Sequence, residues 1–181
     1  AQMNLALEKG VNFVDTAEMY AVPYSNETQG RTEQIIGSWL KNTSNREKIV
    51  LGSKIVGPSP TFTAIRDPLD FSATAIDDAL HKSLSRLKTD YLDLYQLHWP
   101  ERNVNIFGKR DYNHCGNEEW KDNIALILDR LETHVKTGKI RYSDFAFSVA
   151  KGSVSASSKA SSSLFPTTAG AKCLGSHAVR R

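Results

Sequence analysis

The sequence predicts an α/β fold, namely part of a (β/α)8 TIM barrel with about four βα units. Helical and strand patterns alternate along residues 1–142, which is typical of consecutive βα units around a parallel sheet. Asp15, Lys54 and His98 each come at the C-terminal end of a different predicted strand, and such strand ends form the catalytic face of a barrel. The alternation alone would also fit an open doubly wound sheet, so these positions favour the barrel.

The first third of the chain contains a helix end, a strand and a second helix. Residues 1–9 have the pattern of the back half of a helix, which Gly10 would close as a C-cap. The short apolar run Val11–Val14 is predicted to be a buried parallel strand. In Gln29–Lys41 apolar residues recur at spacings of three and four, which predicts an amphipathic helix, with Thr28 as a candidate N-cap.

The middle of the chain adds a strand, a helix and another strand. Lys48–Ser53 is a β-rich run that ends at Lys54, just before a segment rich in glycine and proline. Ser72 is predicted to cap a helix that extends to about residue 88, because apolar residues form one face and the charges complement the helix dipole. Tyr91–Leu97 is predicted to be the third strand, ended by the sequence HWP.

A long polar loop, Glu101–Asn117, separates this strand from the last predicted unit. Apolar residues keep the helical period from Ile124 to Val135, and Gly138 is predicted to end that helix. Lys139–Tyr142 is predicted to begin a fourth strand.

The last part of the chain has a different composition, which divides the sequence into a partial barrel, residues 1–142, and a tail, residues 143–181. The tail is rich in Ser, Ala and Gly, and from Phe145 onward it has no acidic residue and five basic ones. Such a composition buries little apolar surface, so we expect disorder there. The net charge of +3 comes from this tail, because the rest of the chain has 18 basic and 20 acidic residues.

Several functional classes have little support in the sequence. The basic residues are scattered without interleaved aromatic residues, so no nucleic-acid partner is expected. No run approaches the roughly 18 apolar residues of a membrane span. Cys115 and Cys173 lie far apart and lack metal-binding spacing, so no metal site is predicted and a reducing, cytoplasmic location is expected. Because the chain opens within a helix pattern and without Met, we expect upstream sequence, which leaves plastid or other targeting open.

Four residues together suggest proton transfer to a carbonyl oxygen. A tyrosine such as Tyr20, with a pKa of about 10, is a weak acid unless its conjugate base is stabilised. The ammonium group of Lys54 would lower that pKa, and the carboxylate of Asp15 would keep the lysine charged and in place. His98 can donate a hydrogen bond to the carbonyl oxygen of a substrate. A hydride for the carbonyl carbon would have to come from a cofactor.

Each of these residues also has an ordinary structural interpretation. Asp15 could cap the loop after its strand, and Tyr20 could be a packing residue whose hydroxyl is in water. Lys54 could extend to the surface, and a histidine before Trp-Pro is more often structural than catalytic. The combination of the four is harder to explain structurally than any single member.

The motifs DTAEMY, VLGSK, TDYLDLYQLHWP and GKIRY resemble those of the aldo-keto reductase superfamily, and AEMY with ETQG and IGSWL most resembles its Tas-like branch. The resemblance implies a TIM barrel that uses NADPH to reduce an aldehyde or ketone. It implies Tyr20 as the general acid, Lys54 and Asp15 as the pair that tunes it, and His98 as the hydrogen-bond donor that orients the substrate. It also implies that Trp99 lines the substrate pocket.

The sequence departs from the family pattern after GKIRY, where SDFAFSVAKG replaces a Gly-x-Ser-Asn signal. The first strand and the later strands of the family also lack counterparts, so the chain looks truncated at both ends and no cofactor-binding residue is identifiable. A barrel needs roughly 250 residues, and half of one leaves sheet edges unpaired. We therefore expect impaired activity and self-association through these edges. The alternative is a non-catalytic fragment, which could be an interaction module that pairs through them.

Overall fold

The computed structural model describes residues 2–59, 62–101 and 121–145. Its helices and strands alternate along the chain, as the sequence predicts. The elements are α1 (Gln2–Glu8), β1 (Phe13–Asp15), α2 (Arg31–Thr43), a short 3-10 helix (Arg46–Lys48), β2 (Val50–Ile55), α3 (Ala73–Leu87), β3 (Leu92–Leu97), α4 (Ile124–Lys136) and β4 (Ile140–Phe145).

The strands form a parallel sheet in the order β1-β2-β3-β4. Each strand therefore pairs with the next one along the chain. Each connection between consecutive strands contains a helix, namely α2, α3 and α4 in chain order. A doubly wound sheet would instead reverse its strand order at a switch point. The consecutive order confirms the prediction of an α/β fold that corresponds to part of a (β/α)8 barrel.

One face of the sheet packs against the helices and forms the main core. Side chains alternate between the two faces of a strand, so Leu51 and Ile55 of β2 point toward the helices and the intervening Lys54 points to the opposite face. The main core includes Ile36, Leu40, Leu51, Ile55, Ile76, Leu80, Leu87, Tyr95, Leu97, Leu131 and Ile140. A second, smaller cluster lies beyond the C-terminal ends of β2 and β3 and consists of Ala17, Met19, Val56, Phe62 and Trp99.

Several predicted boundaries are confirmed by the hydrogen bonds at the helix ends. The side chain of Ser72 accepts a hydrogen bond from the main-chain N–H of Ala75 and caps α3. Gly10 and Gly138 have φ of 81° and 74°, respectively, and follow the ends of α1 and α4. A positive φ is unfavourable for other residues, which explains why glycine ends these helices.

Other boundaries differ from the prediction. The N-cap of α2 is Gly30, with φ of 73°, and not Thr28, whose hydroxyl instead bonds within the preceding turn to Ser25. The second strand extends to Ile55, so Lys54 lies inside it. The fourth strand runs to Phe145, three residues beyond the predicted segment, and the division of the chain after residue 142 stays a prediction. The rest of the tail, both cysteines and most of the predicted polar loop lie outside the described residues.

The contact between α2 and α3 depends on Gly37, and Gly37→Ala tests it. A Cβ at this position would collide with the main-chain oxygen of Arg86 and would lie 2.8 Å from Leu87 Cα. Because the obstacle is backbone, the helices would have to separate. We expect a net loss of at least about 1 kcal/mol in the free energy of unfolding, although alanine is the better helix former.

Urea denaturation measures this change. Gln34→Ala is the matched control, because residue 34 lies on the same helix and is exposed. A Gly37→Ala variant that is as stable as the control would contradict the close contact between the two helices.

Candidate active site

The four residues singled out in the sequence lie together at the C-terminal edge of the sheet. Asp15 is the last residue of β1, Lys54 lies near the end of β2, and His98 follows β3 directly. Tyr20 lies in the loop after β1. Because all four strands are parallel, their C-terminal ends lie at one edge, which is the catalytic edge in barrels of this type.

Lys54 and Asp15 form an ion pair between neighbouring strands. The ammonium Nζ lies 2.6 Å from Asp15 Oδ2 and also donates to the main-chain oxygen of Thr16 at 2.8 Å. The lysine side chain is only 7% exposed, whereas that of Asp15 is 44% exposed. The carboxylate thus remains in contact with solvent while it compensates a nearly buried cation.

The ring of Tyr20 lies close to both Lys54 and His98. Lys54 Nζ is 5.5 Å from the centroid of the tyrosine ring, and the His98 ring packs against it edge to face at a centroid distance of 5.7 Å. Burial, together with the negative charge of Asp15, raises the pKa of Tyr20. The net shift is therefore opposite to the lowering expected from Lys54, because burial and the Asp15 carboxylate act with the opposite sign to the ammonium group, which is itself bound to Asp15 and Thr16.

His98 is buried and uncharged near neutral pH. Its pKa is lowered to about 4, first by burial and second by the positive charge of Lys54. Its main-chain N–H donates to the oxygen of Ile55 at 2.9 Å, which fixes the start of the loop after β3. The Nδ1 atom is buried and has no hydrogen-bond partner among the described residues. A neutral imidazole in this position can donate one hydrogen bond to a ligand.

Trp99 lies next to the site but is only 1% exposed. Its indole N–H donates to the main-chain oxygen of Pro58 at 3.0 Å, and its ring contacts those of His98 and Phe62. A side chain at Gly57 would collide with the indole, so that glycine allows the close approach. The assignment of Trp99 to a substrate pocket stays a prediction.

Two charged residues at this edge were not predicted from the sequence. Glu18 is 1% exposed, and its carboxylate accepts two hydrogen bonds from the guanidinium group of Arg66. The same carboxylate accepts a hydrogen bond from the main-chain N–H of Val56. The position of Glu18 between the apolar residues Ala17 and Met19 is a signal of burial, whereas nothing around Arg66 in the sequence points to its partner.

The described part of the chain contains no cluster of side chains suited to a metal ion. In the same residues, no helix has the length and apolar character needed to cross a membrane. The site is thus built from an ion pair, a tyrosine and a neutral histidine at the catalytic edge of parallel strands. That combination is expected of a barrel protein that transfers a proton to or from an oxygen atom.

Comparison with known proteins identifies the class more narrowly. The model of the aldo/keto reductase family matches residues 1–160. The protein tas of Escherichia coli K12 is 45% identical over 148 residues, an alignment that covers 78% of this chain and 41% of that relative. The chain therefore belongs to the aldo/keto reductase family.

Solved structures agree with this assignment. An aldo-keto reductase from Bacillus halodurans, in its holo form, superposes with a TM-score of 0.53 at 30% identity, covering 79% of this chain and 39% of the other. An aldo-keto reductase from Klebsiella pneumoniae in complex with NADPH gives a TM-score of 0.53 at 27% identity, covering 79% and 37%. The chain thus spans about two fifths of the length of these relatives.

The lowered pKa of His98 makes the stability of the protein depend on pH. The unfolded chain binds a proton at His98 below a pH of about 6.5, whereas the folded chain binds one only below about 4. The contribution of neutral His98 to the free energy of unfolding is therefore fully present above pH 6.5. It is lost as the pH falls toward 4, by up to about 3 kcal/mol. In His98→Gln we expect the free energy of unfolding to fall less between pH 7 and pH 4.

Urea denaturation at several pH values measures the difference between the two proteins. Burial also lowers the pKa of His134, but that residue is present in both proteins and cancels in the comparison. His81→Gln, at an exposed position, is the control for the loss of an imidazole elsewhere in the chain. Equal pH dependence in His98→Gln and the original chain would contradict a buried, neutral His98.

Proposed function

We propose that this chain carries the proton-transfer site of an NADPH-dependent oxidoreductase that reduces an aldehyde or ketone, with Tyr20 as the general acid. The supporting observation is the position of the Tyr20 ring, which lies 5.5 Å from the Lys54 ammonium and 5.7 Å from the His98 ring. Membership of the aldo/keto reductase family supports the class of reaction, and the NADPH complex of the Klebsiella relative supports the cofactor.

In this proposal the phenol of Tyr20 donates its proton to the carbonyl oxygen as the carbonyl carbon is reduced. Burial and Asp15 raise the pKa of Tyr20, so the residue retains its proton at neutral pH and can act as an acid. The tyrosinate that remains is stabilised by the positive charge of Lys54. Asp15 keeps that charge in place by its hydrogen bond to Nζ.

His98 binds the same carbonyl oxygen as a neutral donor. Its low pKa means that it does not compete with Tyr20 as a proton source at neutral pH. A hydrogen bond from the imidazole would fix the oxygen within reach of the phenol, and proton transfer requires that proximity. Trp99, which contacts the His98 ring, would support the wall of the pocket.

The hydride has to come from the cofactor, because no side chain can supply one. Lys54 and Arg66, two cations at this edge of the sheet, are both paired with carboxylates. We therefore assign no residue of this chain to cofactor binding, and the cytoplasmic location also remains a prediction.

A non-catalytic interaction module is the second candidate. Its support is the surface of α4, where Ile124, Leu126 and Leu128 are 39%, 74% and 48% exposed, respectively. Exposed apolar side chains on one helix are typical of a surface that another element or chain covers. The predicted self-association through sheet edges belongs with this candidate.

Tyr20→Phe tests the catalytic proposal. The variant keeps the ring but loses the proton, so we expect kcat for an aldehyde substrate to fall by a factor of about 10²–10⁴. Oxidation of NADPH, followed by absorbance over a panel of aldehydes and ketones, measures the rate. Tyr24→Phe is the matched control, because Tyr24 lies in the same loop and packs edge to face on Phe62.

Equal turnover in Tyr20→Phe and Tyr24→Phe would exclude Tyr20 as the general acid. Fluorescence titration with NADPH and size-exclusion chromatography distinguish the two functions. If the original chain binds no NADPH, shows no turnover and elutes as an oligomer, the interaction module is favoured. Cofactor binding by a monomer favours the reductase.

A further inference from the structure

The mechanism proposed above leaves Glu18 without a role, although this residue is buried two positions before Tyr20. A carboxylate in an apolar environment is costly unless it is paired and hydrogen-bonded. Glu18 is fully provided with partners, since its oxygens accept from Arg66 Nη1 at 2.9 Å, from Arg66 Nη2 at 3.1 Å and from the Val56 N–H at 2.6 Å. Its apolar neighbours in sequence, Ala17 and Met19, lie in the smaller core cluster.

The contacts of Glu18 join the segment that carries Tyr20 to the strand that carries Lys54. The main-chain N–H of Glu18 donates to the oxygen of Lys54 at 3.2 Å, and its side chain binds the N–H of Val56. The main-chain oxygen of Glu18 accepts a hydrogen bond from the Gln29 side chain at 2.8 Å. Every polar group of this residue is therefore used to fix the loop after β1.

Arg66 connects the Glu18 carboxylate to the loop between β2 and α3. Its side chain is 7% exposed, and its two terminal nitrogens donate to Glu18 in parallel. A planar guanidinium group fixes both distance and angle, which a lysine cannot do. Burial raises the pKa of Glu18, while the positive charge of Arg66 acts against that shift.

We propose that Glu18 and Arg66 are positioning residues, and that their buried ion pair sets the position of Tyr20 relative to Lys54 and His98. The proposal rests on the function proposed above. Neither residue contacts the reacting atoms, and their effect passes through the main chain between residues 18 and 20. The loop after β1 is held at Glu18, and the N–H of Tyr20 then bonds to the oxygen of Ala17 at 3.1 Å.

Another buried ion pair shows what a purely structural role looks like. Glu33 is 0% exposed and accepts hydrogen bonds from Arg86 and Ser53, both at 2.6 Å. This pair connects α2, α3 and the helix-facing side of β2. The side-chain hydrogen bonds of Glu33 go to Ser53 and Arg86, and Glu33 acts on Glu18 through its charge, so Glu33→Gln is a matched control for the loss of a buried carboxylate.

The test is the titration of Tyr20 in Glu18→Gln, followed by NMR of chains with ¹³C at the tyrosine ζ carbon. Tyr20→Phe identifies the resonance. In Glu18→Gln the loop should relax and expose the phenol, so we expect the pKa of Tyr20 to move down toward the ordinary value of about 10. In Glu33→Gln the Tyr20 resonance should titrate as in the original chain.

A Tyr20 titration that is the same in Glu18→Gln and Glu33→Gln would overturn the positioning role. If Glu18→Gln does not fold, Arg66→Lys replaces it, because this variant keeps the positive charge but cannot donate two parallel hydrogen bonds to Glu18. The NMR measurement needs neither cofactor nor turnover. An original chain without reductase activity would therefore contradict the proposed function, whereas the tyrosine titration decides the positioning role separately.

Where the original chain shows turnover, kinetics add a second readout. We expect Glu18→Gln to lower kcat by at least about 10-fold with little change in KM for NADPH, because a displaced acid slows proton transfer more than it weakens binding. An equal decrease of kcat in Glu33→Gln would contradict the proposal, since it would reflect general destabilisation of the fold.

Discussion

Lys54 is nearly buried, and an ammonium group in that position needs partners that replace the water it has lost. Asp15 and the main-chain oxygen of Thr16 provide them. The register of the sheet makes this possible, because Asp15 lies opposite Gly52, so the lysine two residues later reaches back across the end of β1. The ion pair thus joins two strands at the edge where all of the candidate catalytic groups lie.

Burial is the first cause of the pKa shifts of the other two groups, and this pair reinforces both. His98 is close enough to Lys54 for its positive charge to reinforce the effect of burial, which keeps the imidazole neutral. Tyr20 is affected by Asp15 as well as by burial, so it holds its proton more firmly than a tyrosine in water. A phenol that keeps its proton at rest, beside a cation that stabilises the phenolate, is suited to donating a proton only when a substrate oxygen develops negative charge.

The sequence predicted the positions of these groups because local patterns determine them. Apolar runs end at Asp15, Lys54 and His98, and parallel strands bring their ends to one edge. The raised pKa of Tyr20 was not predicted, because its largest cause is burial, which the sequence does not show for a residue in a loop. The pair of Glu18 and Arg66 was not found, since it joins two loops that are 48 residues apart. The N-cap of α2 at Gly30 was also missed. It depends on a positive φ that the sequence does not show, and Thr28 nearby is a residue type that commonly caps helices.

The chain spans about two fifths of the length of its relatives and carries the four residues to which we assign proton transfer. We propose that Lys54 controls the acidity of Tyr20. It is tested most directly by titrating Tyr20 with ¹³C NMR in Lys54→Met. Asp15 is substantially exposed, so the variant leaves no buried carboxylate unpaired. We expect the pKa of Tyr20 to rise further, because the phenolate loses its cation and Asp15 loses its partner. An unchanged or lower pKa would contradict the claim.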